Sequence, residues 1–159
     1  MRSWLVAVIA LSTGVVQPAL PAHAAVVATL QDGQVLHQGD LYPSSNMEFY
    51  AELQGDGDLV IHRGSTPSDD RGAIWSSAKA AGYAPQPGSY FMMMQGCRLS
   101  IFRGTGPGDK QGLVWRSEGG GGGRCFAILQ DSGVIAIFRG SRPADNRGQV
   151  WGSDSVGGR

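Results

Sequence analysis

The sequence predicts an all-β domain with pseudo-threefold symmetry, and three observations point there. A thirteen-residue stretch, R-G-S/T-x-P-x-D-x-x-G-x-I/V-W, occurs three times without a gap: Arg63 to Trp75, Arg103 to Trp115 and Arg139 to Trp151. The starts lie 40 and then 36 residues apart, a period that marks one supersecondary unit used repeatedly. A strand-turn-strand pattern precedes each copy. Glycine fills 25 of 159 positions, and helix-favouring runs of Ala, Leu, Glu and Lys are scarce after residue 25, which is the composition of short strands joined by turns.

The N-terminal segment has a different character. Arg2 gives a positive start, Trp4 to Leu11 is apolar, and Ala22-His23-Ala24 is a small-x-small cleavage signature. Residues 1–24 are therefore expected to be a secretory signal peptide, too short to span a bilayer as a helix. Pro18 and Pro21 argue against a buried N-terminal helix there. The mature chain is expected to form one domain over 25–151, with repeats near 49–77, 90–117 and 125–153 and a small, polar tail at 152–159 that frays unless it adds a strand.

Charge narrows the partners. Lysine and arginine total 13 and so do aspartate and glutamate, so no long-range field recruits nucleic acid or an anionic membrane. No later apolar stretch is long enough for membrane insertion. In an exported chain the isolated pair Cys97 and Cys125 is most simply one disulfide. A metal site or reactive thiol at these cysteines lacks the further His or Cys ligands it would need.

The three hairpins share one design. In the first, Phe49 to Gln54 and Asp58 to His62 flank Gly55-Asp56-Gly57. A three-residue turn with Gly57 in the left-handed position pairs Gln54 with Asp58, Leu53 with Leu59 and Ala51 with Ile61. Alternation then sends Phe49, Ala51, Leu53, Leu59 and Ile61 to the core, and Glu52, Gln54, Asp58, Val60 and His62 to a polar shelf. The same register in the second repeat makes Phe91, Met93, Leu99 and Ile101 core, with Met94, Arg98, Ser100 and Phe102 outside. In the third, Ala127, Leu129, Ile135 and Ile137 go inward while Gln130, Val134, Ala136 and Phe138 face out.

Each thirteen-residue stretch is expected to end in a short strand at Ile74-Trp75, Val114-Trp115 or Val150-Trp151. The three tryptophans should meet near a threefold axis as core. Gly119 to Gly123 reads as a flexible linker. Within the shared loops, Ser65, Thr105 and Ser141 cap a turn stiffened by Pro67, Pro107 and Pro143. Arg63, Arg103 and Arg139 are positioned to pair with Asp69, Asp109 and Asp145. The loops read either as scaffold or as a second ligand surface.

At its hairpins the chain resembles the bulb-type mannose-binding lectins, whose motif is Q-x-D-x-N-x-V-x-Y. The resemblance rests on three hairpins with three trailing tryptophans, on Gln95-Gly96-Cys97 and Cys125-Phe126-Ala127, and on Leu30 to Leu36 followed by Gly39-Asp40-Leu41. That last segment looks like the family's N-terminal strand pair. The resemblance implies a β-prism II fold: three four-stranded antiparallel sheets around a Trp-containing core. Residue by residue, it implies a carbohydrate site at Gln54, Asp56, Asp58, Val60 and His62. Asp58 stands where the family has Asn, and His62 where it has Tyr. In the second repeat, counting back from Phe102, the motif positions hold Met94, Gly96, Arg98, Ser100 and Phe102, with Gln95 displaced by one. The third repeat is degenerate and keeps only Gln130.

The function this implies is a secreted or periplasmic lectin recognising mannose-type glycans or glycoproteins, mainly through the first repeat. It needs no cofactor, and multivalency would come from a homo-oligomer. The alternative is a β-prism scaffold without sugar binding that acts through protein contacts, as an inhibitor, toxin-like or surface-interaction module. At the first hairpin the bland reading is a solvated turn, and an Asp-x-Asp calcium site lacks further spaced ligands. Neither Ser-His-Asp, Cys-His nor zinc-ligand spacing appears, so catalysis is not expected.

Overall fold

A computed structural model describes residues 26–156; the signal peptide expected over 1–24 lies outside the described residues. Three short strands come first: β1 (Leu30–Gln31), β2 (Val35–His37) and β3 (Tyr42–Pro43). The hairpin strands β4 (Phe49–Leu53) and β5 (Leu59–Arg63) lead through the first shared loop to β6 (Ala73–Ser76) and a one-turn helix α1 (Ser77–Ala81). The second unit is β7 (Tyr90–Met94), β8 (Leu99–Arg103) and β9 (Gly112–Arg116). The third is β10 (Cys125–Leu129), β11 (Ile135–Arg139) and β12 (Gln149–Gly152).

These strands form three four-stranded antiparallel sheets, ordered β3-β4-β5-β6, β2-β7-β8-β9 and β1-β10-β11-β12. The N-terminal segment is not a strand pair. Each of its strands joins a different sheet, through Leu30↔Ala127, Val35↔Met93 and Tyr42↔Ala51. A two-residue β1 offers too few ladder bonds to stand alone, whereas the outer edge of each three-stranded unit offers a ready template.

Trp75, Trp115 and Trp151 meet at the centre, with ring centroids 5.9 to 6.4 Å apart and planes crossed at 63 to 70°. Edge-to-face contact of this kind adds to the burial of three large rings. Leu53, Leu59, Ile61, Leu99, Ile101, Leu129, Ile135 and Ile137 surround them in one buried cluster, each such side chain contributing about 1.5–3 kcal/mol. Two residues beyond each tryptophan stands a buried serine. Ser77, Ser117 and Ser153 accept the backbone N–H of Leu59, Leu99 and Ile135 at 2.9 to 3.1 Å. The third unit thus extends past Trp151, through Gly152 in β12 to the buried Ser153.

The first hairpin has the expected register, with Leu53↔Leu59 and Ala51↔Ile61, and Gly57 at φ 83°. The second differs. Gln95 and Arg98 exchange both backbone hydrogen bonds, leaving only Gly96 and Cys97 in the turn, at φ 59° and 58°. This is the two-residue turn whose central residues both need positive φ. It is one residue shorter than Gly55-Asp56-Gly57, and a one-residue change flips the faces of the preceding strand. Tyr90, Met92 and Met94 therefore join Leu99 and Ile101 in the core. Phe91, expected inside with Met93, instead stacks on Phe102 at 5.5 Å on the outer face. Cys97 is fixed in its turn by the expected disulfide to Cys125, which ties the second sheet to β10.

The shared loops are internally closed. Asp69, Asp109 and Asp145 each accept the backbone N–H and the hydroxyl of Ser65, Thr105 or Ser141, at 3.0 to 3.3 Å. The arginines at the head of each stretch are not their partners. Arg103 bonds Tyr90 Oη at 3.0 Å, and Arg139 bonds the Gly122 carbonyl at 3.2 Å. The aspartates meet the residue two positions on, Arg71, Gln111 or Arg147, because an Asp in a tight turn reaches its own loop before a side chain on the neighbouring strand.

Candidate functional site

The outer face of each sheet carries cross-strand pairs in equivalent places. Tyr50 and His62 stack in the first sheet with centroids 4.8 Å apart and planes within 5°. Phe91 with Phe102 and Phe126 with Phe138 do the same in the others at 5.5 Å. Beyond this shared pair the faces diverge. The third sheet buries Phe126, Ala136 and Phe138 with Ile128 and Val134 in a small apolar cluster. The first sheet places Glu52, Gln54, Asp58 and His62 there.

The five residues expected to bind sugar separate into two groups. Gln54 and Asp56 are half-buried at the turn. Gln54 Nε2 donates to Glu52 Oε1 at 3.3 Å, and Asp56 Oδ1 accepts the Asp58 N–H at 3.1 Å. Gln54 Oε1 and Asp56 Oδ2 have no partner among the described residues and remain open to a ligand.

Asp58, Val60 and His62 are only 5 to 8% exposed. Both Asp58 oxygens are used inside the protein: Ser76 Oγ donates to Oδ2, and Ser77 Oγ and the Ala78 N–H donate to Oδ1 at 2.8 and 2.9 Å. The carboxylate thereby satisfies an amide at the start of α1. Tyr83, whose hydroxyl lies 2.6 Å from Ser77 Oγ, closes the cluster, and burial pushes its phenol up to about 12.

His62 is held from two sides. Its Nδ1 lies 3.1 Å from Asp70 Oδ1, and its Nε2, buried and without a hydrogen bond, lies 3.7 Å from Glu52 Oε1. Asp70 is held below the usual carboxylate range by the Gly72 N–H first and by His62 second. Burial and the nearby Asp70 and Glu52 charges push Tyr50 up to about 12. His62 is thus buried between Asp70 and Glu52, two carboxylates outside the expected set. Glu52 was legible on the polar shelf by alternation. Asp70 was not, because the loop after Arg63 returns it to β5.

The second repeat aligns differently in space. Gln95 donates its N–H to Arg98, as Gln54 does to Asp58 and Gln130 to Val134. Gln95 therefore holds the place of Gln54, and the missing residue lies in the turn. Gln130 keeps that place in the third repeat, beside the apolar Val134.

No protein-family model matches the chain, and no curated protein matches it in sequence. Solved structures do match. A monomeric monocot mannose-binding lectin from Gastrodia elata superposes with TM-score 0.56 and 19% identity, over 84% of this chain and 100% of that one. A Japanese Marasmius oreades lectin gives TM-score 0.58 and 16% identity, over 84% and 97%. The fetuin-binding agglutinin of Scilla campanulata, a two-domain lectin, gives TM-score 0.52 and 20% identity over 72% of this chain, which spans 48% of its length. The chain has a bulb-type lectin-like β-prism fold.

Proposed function

We propose that this chain is an exported carbohydrate-binding protein that recognises mannose-type glycans at the outer face of its first sheet, without altering them chemically. One observation carries the reading: Gln54 Oε1, next to the Glu52 carboxylate, and Asp56 Oδ2, at the following turn, stand open, where the third sheet is apolar. Vicinal sugar hydroxyls need a close set of acceptors and donors of this kind. Asp58 and His62 brace that set, and Val60 offers a small apolar floor. The lectin-like fold supports the reading, and the Cys97–Cys125 disulfide supports an oxidising compartment. High avidity would then come from a homo-oligomer.

The internal use of Asp58 favours a second reading, a β-prism scaffold that works through protein contacts. A glycan array on the intact protein separates the two. Mannose-type glycans are expected to bind, with the signal falling at least tenfold in Gln54→Ala and Asp56→Ala while the fold is retained by circular dichroism. A blank array, or a signal unchanged in both variants, overturns sugar binding at this face.

A further inference from the structure

Two of the three sheets place phenylalanine where the first places His62. There the stack on Phe91 or Phe126 forms without a ring nitrogen. Stacking on Tyr50 at 4.8 Å therefore does not account for an imidazole at this position. Its two nitrogens meet different neighbours. Both oxygens of Asp70 lie 3.1 Å from Nδ1. An ionised carboxylate only accepts hydrogen bonds, and Asp70 is held below the usual carboxylate range, so the proton of the neutral ring sits on Nδ1. Nε2 then carries a lone pair, buried and without a hydrogen bond, and faces Glu52 Oε1 at 3.7 Å.

Glu52 Oε1 is the pivot. It accepts from Gln54 Nε2 at 3.3 Å, which leaves Gln54 Oε1 as the outward acceptor. A protonated imidazole offers a donor at Nε2 to that same carboxylate oxygen. Imidazolium and carboxylate attract as full charges in a place sheltered from water, so this bond outcompetes the one from a neutral amide. The other titratable groups around the ring are Tyr50 on β4 and Asp70 on the loop after β5. Next to Asp70 stands Asp69, itself 3.9 Å from Arg71, and β6 sets only the uncharged Ala73 opposite His62. Tyr50, pushed up to about 12, stays neutral between about pH 5 and 8, where histidines change charge. The third sheet has Ile128 and Phe138 in the places of Glu52 and His62, so Gln130 has no such neighbours.

We propose that His62 is a proton-operated switch of the first-sheet site: on mild acidification its imidazolium draws Glu52 away from Gln54 and weakens glycan binding. One proton passes from solvent to Nε2. The hydrogen bond from Gln54 Nε2 to Glu52 Oε1 breaks, and one from His62 Nε2 to Glu52 Oε1 forms. Gln54 loses the brace that turns its carbonyl outward, so a glycan held in neutral surroundings is released in acidic ones. The effect on binding rests on the first-sheet face as the glycan site, whereas the exchange of partners at Glu52 does not.

The test follows the Gln54 side-chain amide and the His62 ring by NMR in the intact protein, without ligand, from about pH 8 to pH 5. The amide signals are expected to shift in step with the ring. They should stay fixed in Glu52→Gln and in His62→Phe, the residue the other two sheets carry there. His37→Gln, at the other described histidine, should change nothing. Calorimetric titration with mannobiose should show about tenfold weaker binding at about pH 5.5 than at about pH 7.5, with the difference gone in His62→Phe. The switch is overturned if the ring does not titrate in this range, if it titrates while the Gln54 signals stay still, or if Glu52→Gln keeps the coupling. Mannobiose binding that is equal at both pH values overturns the control of binding. Absence of binding at both overturns the sugar reading and the glycan part of the switch together, while the Gln54 signals still decide the exchange at Glu52.

Discussion

The first and second sheets share strand order, bulge position, central tryptophan and buried serine, yet treat one hairpin position in opposite ways. In the first, the Asp58 carboxylate is buried and saturated by Ser76, Ser77 and Ala78. In the second, Arg98 and Arg116 flank an open cleft. A carboxylate accepts several short donors from one compact cluster, whereas two guanidiniums repel and stay where water or an anion can reach them. The same backbone position thus serves structure in one sheet and stays available for binding in the other. Repetition of a fold gives each copy freedom to specialise, provided the core beneath is untouched.

The largest test of this contrast is stability. Asp58→Ala strands two hydroxyls and an amide in a buried place and should cost on the order of 3–5 kcal/mol. Arg98→Ala, at the equivalent position, should stay within about 0.5 kcal/mol. Urea unfolding followed by tryptophan fluorescence measures both, and equal losses would erase the distinction.

A smaller effect is expected from replacing Cys97 and Cys125 together by serine. Removing the crosslink should lower stability by about 3 kcal/mol. Because Cys97 closes the short turn of the second sheet, its amides should show increased hydrogen exchange while the Gly55-Asp56-Gly57 turn remains protected. Uniform loosening of both turns would contradict that assignment.

Acid titration gives the smallest effect. Asp70 is lowered by the Gly72 N–H and then His62, and Asp109 by Gln111 and then Thr105. A lowered folded-state pKa adds stability that is complete above the ordinary carboxylate range, near pH 4, and lost as pH falls through the folded value. Urea midpoints should therefore drop between pH 5 and pH 2, with a shallower drop in Asp70→Asn for the first sheet and Asp109→Asn for the second. Unchanged slopes in both variants would show that these contacts do not persist in solution.

Much of the frame was readable from residue order. The thirteen-residue period marked three units and their meeting tryptophans, and Gly55-Asp56-Gly57 fixed the first register. The Trp-x-Ser spacing that places Ser77, Ser117 and Ser153 was also present, though it gains meaning only when each serine is seen bonding the hairpin. The second hairpin misled because a two-residue and a three-residue turn look alike until the hydrogen bonds of Gln95 and Arg98 are known. Alternation then assigns Phe91 and Met93 to the wrong face.

The sequence by itself determined the threefold β frame, the disulfide and the polar character of the first hairpin, since these depend on local patterns and turn chemistry. Only the tertiary structure decided which polar groups remain free. Asp58 is spent on serines 18 and 19 residues away, delivered by β6 and the start of α1, while Arg98, in the turn before β8, and Arg116, in β9, line one open cleft with no carboxylate partner among the described residues. A motif specifies side-chain types. Burial and cross-strand neighbours, set by long-range packing, decide whether those side chains are consumed by the fold or left open to a ligand.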